Sequence, residues 1–510
     1  MDLHMAAKPD EADSCLLAEA LQQVIAKEKV SFHMPGHRAG RGLPPDLLSM
    51  LAGLDTTELA GTDNLQNPTG VLRDAEERAA LFFGAKRTYF LVNGSTVGVL
   101  AMIQAVAGPG DTLLVGRDCH QSVLHALQLA GVQPCFVETL RSKPKGLPCG
   151  PSPRALELAV SLHPHARGLL VTRPNYYGMA VSLEDISKLL HAKGMLLLVD
   201  EAHGAHFAAG PPFPATALAS GADLVVQSLH KTLPAPTQTA LLHEGRSWPG
   251  VRSGLPVSSL GEALSLFQTT SPSYPLLACI DSAVCWTAVH GPHAYGILMN
   301  RIKTFRQEMA ADGRFRLCGS GETLPGFSMD PTRLVVLVEN KGIELERWLR
   351  ETHGVVAEMA DRHRVVLIAT PFHDKADFKM LSDALKQSPE GSFPHSSSSG
   401  SERIEEGTGP TFPELETMQA AEDDFHAGSV PECVMTLREA VCAPREQVAL
   451  AKASGRVAAR SVVPYPPGIA VIVAGERYGP GCLDWLRNQE GAGIAILGME
   501  DGCVSCVVPV

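Results

Sequence analysis

Short apolar runs recur along the first half of the chain, at 88–92, 112–115, 133–137, 168–172, 195–199, 223–227 and 239–243. Most of the gaps between them carry helical periodicity. Strands alternating with helices predict βαβ units and a mostly parallel sheet covered on both faces. An amphipathic helix is expected over 14–30. The pattern changes over 291–387, where strands at 333–338 and 365–369 interleave with helices at 343–352 and 375–386, as in a small α+β domain. Residues 388–410 hold Ser-Ser-Ser-Ser-Gly-Ser and Glu-Glu-Gly-Thr-Gly-Pro without apolar periodicity and read as a flexible linker. Order resumes over 411–510, with helices expected at 412–426 and 444–453 and strands at 470–473 and 493–497. The chain thus divides into an N-terminal helical segment (1–30), a large domain (31–290), a small domain (291–387), the linker, and a C-terminal α+β domain. A chain of 510 residues exceeds what one core organises.

Composition narrows the function. Apolar residues make up 45% and charged residues 19%, which fits a folded soluble protein rather than a disordered one. The net charge is −12 and no Lys/Arg-rich tract occurs, so nucleic acid is not an expected partner. An acidic balance is compatible with cationic substrates. No apolar stretch reaches the roughly 18–20 residues that span a bilayer, so no membrane is expected. Residues 1–13 carry four acids and no hydrophobic region, unlike a secretory signal. Twelve cysteines are scattered without framework spacing and read as reduced thiols in a cytosol-like compartment. Cys503-Val504-Ser505-Cys506 lacks signalled partners for a metal and reads as ordinary strand cysteines.

The chemistry concentrates on two residues. Asp200 ends the apolar run at 195–199. Lys231 lies thirty-one residues later in Ser228-Leu229-His230-Lys231-Thr232, after the run at 223–227. A carboxylate and a lysine at the ends of neighbouring strands suit pyridoxal phosphate (PLP): the lysine forms the resting Schiff base, and the carboxylate keeps the pyridine nitrogen protonated. A lysine drawn out of water has a lowered pKa, which favours imine formation. Asn93-Gly94-Ser95-Thr96 follows a strand and opens a helix, where free backbone N–H groups and two hydroxyls can cradle a phosphate. Alone it would read as a plain N-cap. Arg117-Asp118-Cys119-His120-Gln121-Ser122 places an imidazole where it could stack on an aromatic ring. Thr172-Arg173-Pro174-Asn175-Tyr176-Tyr177-Gly178 leaves another strand end, where ligands of open α/β sheets sit.

These stretches resemble the Orn/Lys/Arg decarboxylase family of PLP-dependent fold-type I enzymes. The resemblance runs through Phe32-His33-Met34-Pro35-Gly36-His37, Asp55-Thr56-Thr57-Glu58-Leu59 and Gly61-Thr62-Asp63-Asn64-Leu65. It continues through Asp200-Glu201-Ala202-His203-Gly204, Ser228 to Thr232, Thr270-Ser271-Pro272-Ser273-Tyr274, Asp330-Pro331-Thr332-Arg333 and Pro464-Tyr465-Pro466-Pro467-Gly468. It implies an α/β, aspartate-aminotransferase-like large domain with small and C-terminal α+β domains, of the short biosynthetic type. It further implies that Lys231 holds PLP, Asp200 pairs with the ring nitrogen and His120 stacks on the ring. Gly94, Ser95, Thr96 and Ser228 would bind the phosphate, and Ala202, His203 and His230 would line the site. Ser271 or Ser273 would reach the phosphate of a neighbouring subunit in a homodimer or larger homo-oligomer. The implied reaction is decarboxylation of a basic amino acid to a polyamine precursor, with arginine favoured over lysine and ornithine. Asp63, Glu201 and Glu476 are the acids that could face the distal cation, with Tyr176 nearby. Ala474 stands where the family usually has proline, Asn64 where aspartate is common, and Gln66-Asn67 where a histidine-rich stretch is expected. Alternatives are another fold-type I enzyme, such as an aminotransferase or aldolase, or a non-catalytic homologue. An aminotransferase would usually carry an arginine just after the lysine, where Thr232-Leu233-Pro234 stands.

Overall fold

Apolar runs without alternation need cover on both faces, and seven of them assemble into one sheet. Its strands are β1 (Arg87–Leu91), β2 (Thr112–Gly116), β3 (Gln133–Val137), β4 (Gly168–Thr172), β5 (Leu196–Asp200), β6 (Leu224–Ser228) and β7 (Ala240–Glu244). The order across the sheet is β1-β7-β6-β5-β4-β2-β3, and only β7 runs antiparallel to its neighbours. Each expected run is a strand, shifted by at most one residue. The computed structural model describes residues 16–142, 147–319, 326–389, 430–465, 468–491 and 494–509. The helix expected at 412–426 and nearly all of the linker fall outside those residues.

The middle of the sheet is the driest part. Leu169, Leu170, Val171, Leu197, Leu198, Val199, Leu224, Val225 and Val226 are all fully buried. Each such side chain stabilises the fold by roughly 1.5–3 kcal/mol relative to exposure. Helix Gly94–Val106 lies tight against this layer. A Cβ on Gly98 would sit 2.6 Å from Val226 Cγ2 and 2.9 Å from Leu91 Cδ1, so only glycine permits that approach. The close packing fixes where the helix begins, and that start belongs to the site below.

The small domain carries a four-stranded antiparallel sheet in the order Arg316–Leu317, Arg333–Leu337, Arg364–Ile368, Met359–Asp361. Helix Lys375–Gln387 opens with a capping box between Asp374 and Asp377 and packs on the long helix Tyr274–Asp312. That helix of 39 residues runs through the expected division at 290/291, carrying Pro292 inside it. The expected helix at 343–352 is an α-helix over Gly342–Trp348 that continues into a π-helical turn at Leu349–His353.

In the C-terminal domain the helix expected at 444–453 is instead the strand Arg445–Ala449 followed by a 3-10 turn, Leu450–Lys452. Pairing with Cys503–Val507 overrides the local helical preference. The C-x-x-C cysteines lie on that partner strand. The run at 470–473 forms an isolated bridge, Val462 to Ile472, rather than a strand. The strand expected at 493–497 is Ala495–Leu497.

A buried ion pair ties this domain to the large one. Arg117 Nη2 donates to Glu476 Oε2 at 2.8 Å and to the Val471 carbonyl at 3.2 Å, with its guanidinium 4.8 Å from the Phe136 ring centroid. Both partners are almost wholly shielded from water. Removing one leaves the other charge buried and unpaired. Arg117→Ala or Glu476→Ala should therefore cost about 3–5 kcal/mol in denaturant unfolding, whereas replacing both by apolar residues of similar volume should cost far less.

Candidate active site

The loops leaving the carboxyl ends of β1, β2, β4, β5 and β6 converge on one crevice, roofed by the small domain. The turn after β1 is locked by two contacts: Gly94 N–H donates to the Gln238 carbonyl at 2.8 Å, and Asn93 Oδ1 accepts from Thr269 N–H at 3.0 Å. Gly94 has φ of +77°, which suits glycine. Ser228, at the end of β6, donates its hydroxyl to Ser95 Oγ at 2.8 Å. These hydroxyls and the uncapped N–H groups of helix Gly94–Val106 form one polar cluster. Thr96 is on the exposed side of that turn.

Lys231 occupies a four-residue helix, Leu229–Thr232, directly after β6. Its Nζ lies 3.1 Å from His203 Nε2. On the far side of that ring, Arg333 Nη2 lies 2.9 Å from Nδ1. Tyr176 meets the His203 ring edge-on, with centroids 4.9 Å apart. Desolvation pushes the Lys231 pKa below its ordinary value; Asp200 and Glu358 oppose this and Arg333 reinforces it. Burial, with Lys231 and Arg333 adding to it, holds His203 well below the usual histidine range. His230 donates to the Thr239 carbonyl at 3.1 Å and is pushed down to about 4 chiefly by burial.

Asp200 is buried at the end of β5, and its Oδ1 accepts from Ala202 N–H at 3.1 Å. Its Oδ2 has no hydrogen bond among the described residues. His120 caps helix Gln121–Ala130, accepting from Ser122 N–H at 3.2 Å. Its ring lies beside Gly468, where a Cβ would come within 3.3 Å of Cδ2, and burial lowers its pKa against the pull of Asp200.

Other candidates are placed differently. Glu201 is fully buried and committed to Arg173 (3.0 Å), Gln227 (2.7 Å) and Ala217 N–H (2.9 Å). Glu476 is committed to Arg117 and Val473 N–H. The Asp63 carboxylate organises its own loop, accepting from the N–H groups of Asn64, Thr69, Gly70 and Leu72, and these bonds hold its pKa down at about 2. Ser273 caps helix Tyr274–Asp312, and Ser271 is exposed on the preceding turn.

Two neighbours of the site carried no role in the sequence reading. Arg333 appeared there only inside a motif. Glu358 lies in the apolar run at 355–360, where a lone acid is the one available sign of a buried partner. Its carboxylate accepts from Tyr176 OH and, at 2.9 Å, from Met34 N–H.

The residues fit PLP. Asp200 Oδ2 is free to hold a protonated ring nitrogen, Lys231 is desolvated for imine formation, and the Ser95–Ser228 cluster at a helix start offers donors to a phosphate. His120 offers a ring face between the C-terminal domain and Asp200.

Comparison with known proteins adds the lineage. A family model described as Orn/Lys/Arg decarboxylase, major domain, matches residues 16–377, and its C-terminal domain counterpart matches residues 419–500. The uncharacterized protein YaaO of Bacillus subtilis is 36% identical over 473 residues, covering 90% of this chain and 91% of its own. The arginine decarboxylase of Halalkalibacterium halodurans is 31% identical, covering 94% of each chain. The lysine decarboxylase LdcA of Pseudomonas aeruginosa is 25% identical, covering 90% of this chain and 73% of its own. Among solved structures, the lysine decarboxylase LdcF of Francisella novicida superimposes with a TM-score of 0.72 at 17% identity, covering 98% of this chain and 84% of its own. The constitutive lysine decarboxylase of Escherichia coli gives 0.69 at 20%, covering 98% and 82%. A structure described as SPT with PLP internal aldimine gives 0.53 at 16%, covering 74% and 98%. At these identities the structural likeness speaks to the fold.

The role of Asp63 can be checked by pH. An acid with a depressed folded-state pKa adds stability above its unfolded pKa and loses it as pH falls through the folded value. Asp63→Asn should lower stability at neutral pH by about 1 kcal/mol. In denaturant unfolding the gap should close as pH is taken from about 4 towards 2.

Proposed function

The chain belongs to the Orn/Lys/Arg decarboxylase family, and on that premise we propose that it removes the α-carboxylate of arginine as CO2, releasing the corresponding amine, a polyamine precursor. The observation that carries this reading is a half-buried Lys231 held against His203, with its pKa lowered by desolvation within the field of the Asp200 carboxylate. The preference for arginine over lysine or ornithine rests on the higher identity and fuller mutual coverage of the arginine decarboxylase relative.

When bound, PLP supplies an electron-withdrawing ring that stabilises the charge left on Cα as CO2 departs. Asp200 would hold the proton on the ring nitrogen. His120 would cover one ring face, and Gly94, Ser95, Ser228 and the helix start would hold the phosphate. Lys231 is the group we assign to return a proton to Cα. Of the acids considered, Glu201 and Glu476 are bound to buried arginines. Glu358 instead accepts from Tyr176 and a backbone amide, and its charge reaches Lys231. We assign the distal cation of the substrate to Glu358. The working enzyme is read as a cytosolic homodimer or larger homo-oligomer in which Ser271 or Ser273 serves the partner's site; the family resemblance and the exposure of Ser271 support this.

Purified enzyme should release labelled CO2 from carboxyl-labelled arginine faster than from lysine or ornithine; release from neither arginine nor the other two would refute the reading. Lys231→Ala should abolish that release while the circular dichroism of the fold is kept. Glu358→Gln should raise KM for arginine by at least about tenfold, the order of one lost charge-assisted hydrogen bond.

A further inference from the structure

Three side chains from three parts of the fold stand in line: Arg333 from the small-domain sheet, His203 from the loop after β5, and Lys231 from the helix after β6. The two contacts, 2.9 Å and 3.1 Å, use the two ring nitrogens of His203. A guanidinium has N–H donors and no acceptor. The nitrogen facing Arg333, Nδ1, must therefore present a lone pair. His203 is buried and kept neutral, so its single proton sits on Nε2. That N–H points at Lys231 Nζ, which can accept it only as a free amine, because an ammonium has no lone pair.

We propose that Arg333 is a positioning residue that acts on Lys231 through His203, fixing the Nε2–H tautomer and so presenting Lys231 as an unprotonated nucleophile. The surroundings are consistent with a part built for this contact. Arg333 Nη2 is bonded to His203, while its buried Nε and Nη1 make no hydrogen bond among the described residues, and Asp330 lies 3.9 Å from Nη1. The arginine stem is seated under Gly178, where a Cβ would fall 2.6 Å from Arg333 Cγ, and Gly178 has φ of +88°. Tyr176, two residues earlier on the same turn, sets the ring plane of His203 from its edge.

The ionisable groups whose charges bear on Lys231 and His203 are Asp200, Glu358, Arg333, His120 and His230. Asp200 and Glu358 favour the ammonium; Arg333 disfavours it. Removing Arg333 frees His203 to carry its proton on Nδ1 and to accept from Lys231 at Nε2, which stabilises the ammonium. The effect should run through the histidine and not only through space.

The inference rests on Lys231 being the lysine that captures PLP, and the test separates the two. In full-length apoenzyme carrying nitrogen-15 histidine, the shifts of His203 should report Nδ1 bare and Nε2 protonated; a protonated Nδ1 overturns the relay without any variant being made. Covalent capture of PLP by apoenzyme, fixed with borohydride across a pH series, should then show a higher pH midpoint in Arg333→Met. Once that midpoint lies above the assay pH, the capture rate should fall by about tenfold for each further unit it rises. In a His203→Phe background, Arg333→Met should shift the midpoint by clearly less than it does with His203 present, because only the direct charge of Arg333 then acts on Lys231. An undiminished further shift in the double variant overturns the relay and leaves only a through-space charge effect. A wild-type apoenzyme that captures no PLP overturns the reading of Lys231 itself, and the relay with it.

Discussion

Lys231 is half-buried, with its amine desolvated enough to favour the neutral form, and much of the surrounding structure bears on that balance. An ammonium buried without compensation costs several kcal/mol, so a lysine in that position gives up its proton more readily. Two acids, Asp200 and Glu358, limit this loss, while Arg333 promotes it. The balance yields a nitrogen that can attack a carbonyl near neutral pH and can still be reprotonated during a reaction. The same desolvation explains why the surrounding histidines are uncharged: each would add a cation to a site that already excludes one.

Residues from distant parts of the chain meet around this point, each through a small number of polar contacts. The large domain supplies the strand ends. Arg333 and Glu358 come from the small domain, and Met34, near the start of the large domain, fixes the Glu358 carboxylate. Gly36 N–H, two residues on, donates to the His230 carbonyl at 2.8 Å and places that stretch against the lysine helix. The C-terminal domain closes over His120 at Gly468 and is held by the Arg117–Glu476 pair.

Much of this was legible in the chain itself, for identifiable reasons. The strands β1 to β7 announce themselves because a sheet covered on both faces needs uninterrupted apolar runs, and little else in a soluble protein does. Lys231 and Asp200 stand out because each is a charge placed at the end of such a run. The antiparallel course of β7 leaves no trace in composition, since a buried strand looks alike in either direction. Residues 444–453 read as a helix because Arg-Glu-Gln-Val-Ala suits one until the distant partner strand Cys503–Val507 claims it. Glu201 and Glu476 looked like substrate acids because nothing local shows that Arg173 and Arg117 reach them. Arg333 was hidden for the converse reason: its meaning lies in a nitrogen of His203, 130 residues away in sequence.

The most direct measurement is to incubate the purified protein with PLP, reduce it with borohydride, digest it and locate the pyridoxyl group by mass spectrometry. The account predicts a single modified site, on the peptide containing Lys231. A label on a different lysine, or no label at all, would contradict it.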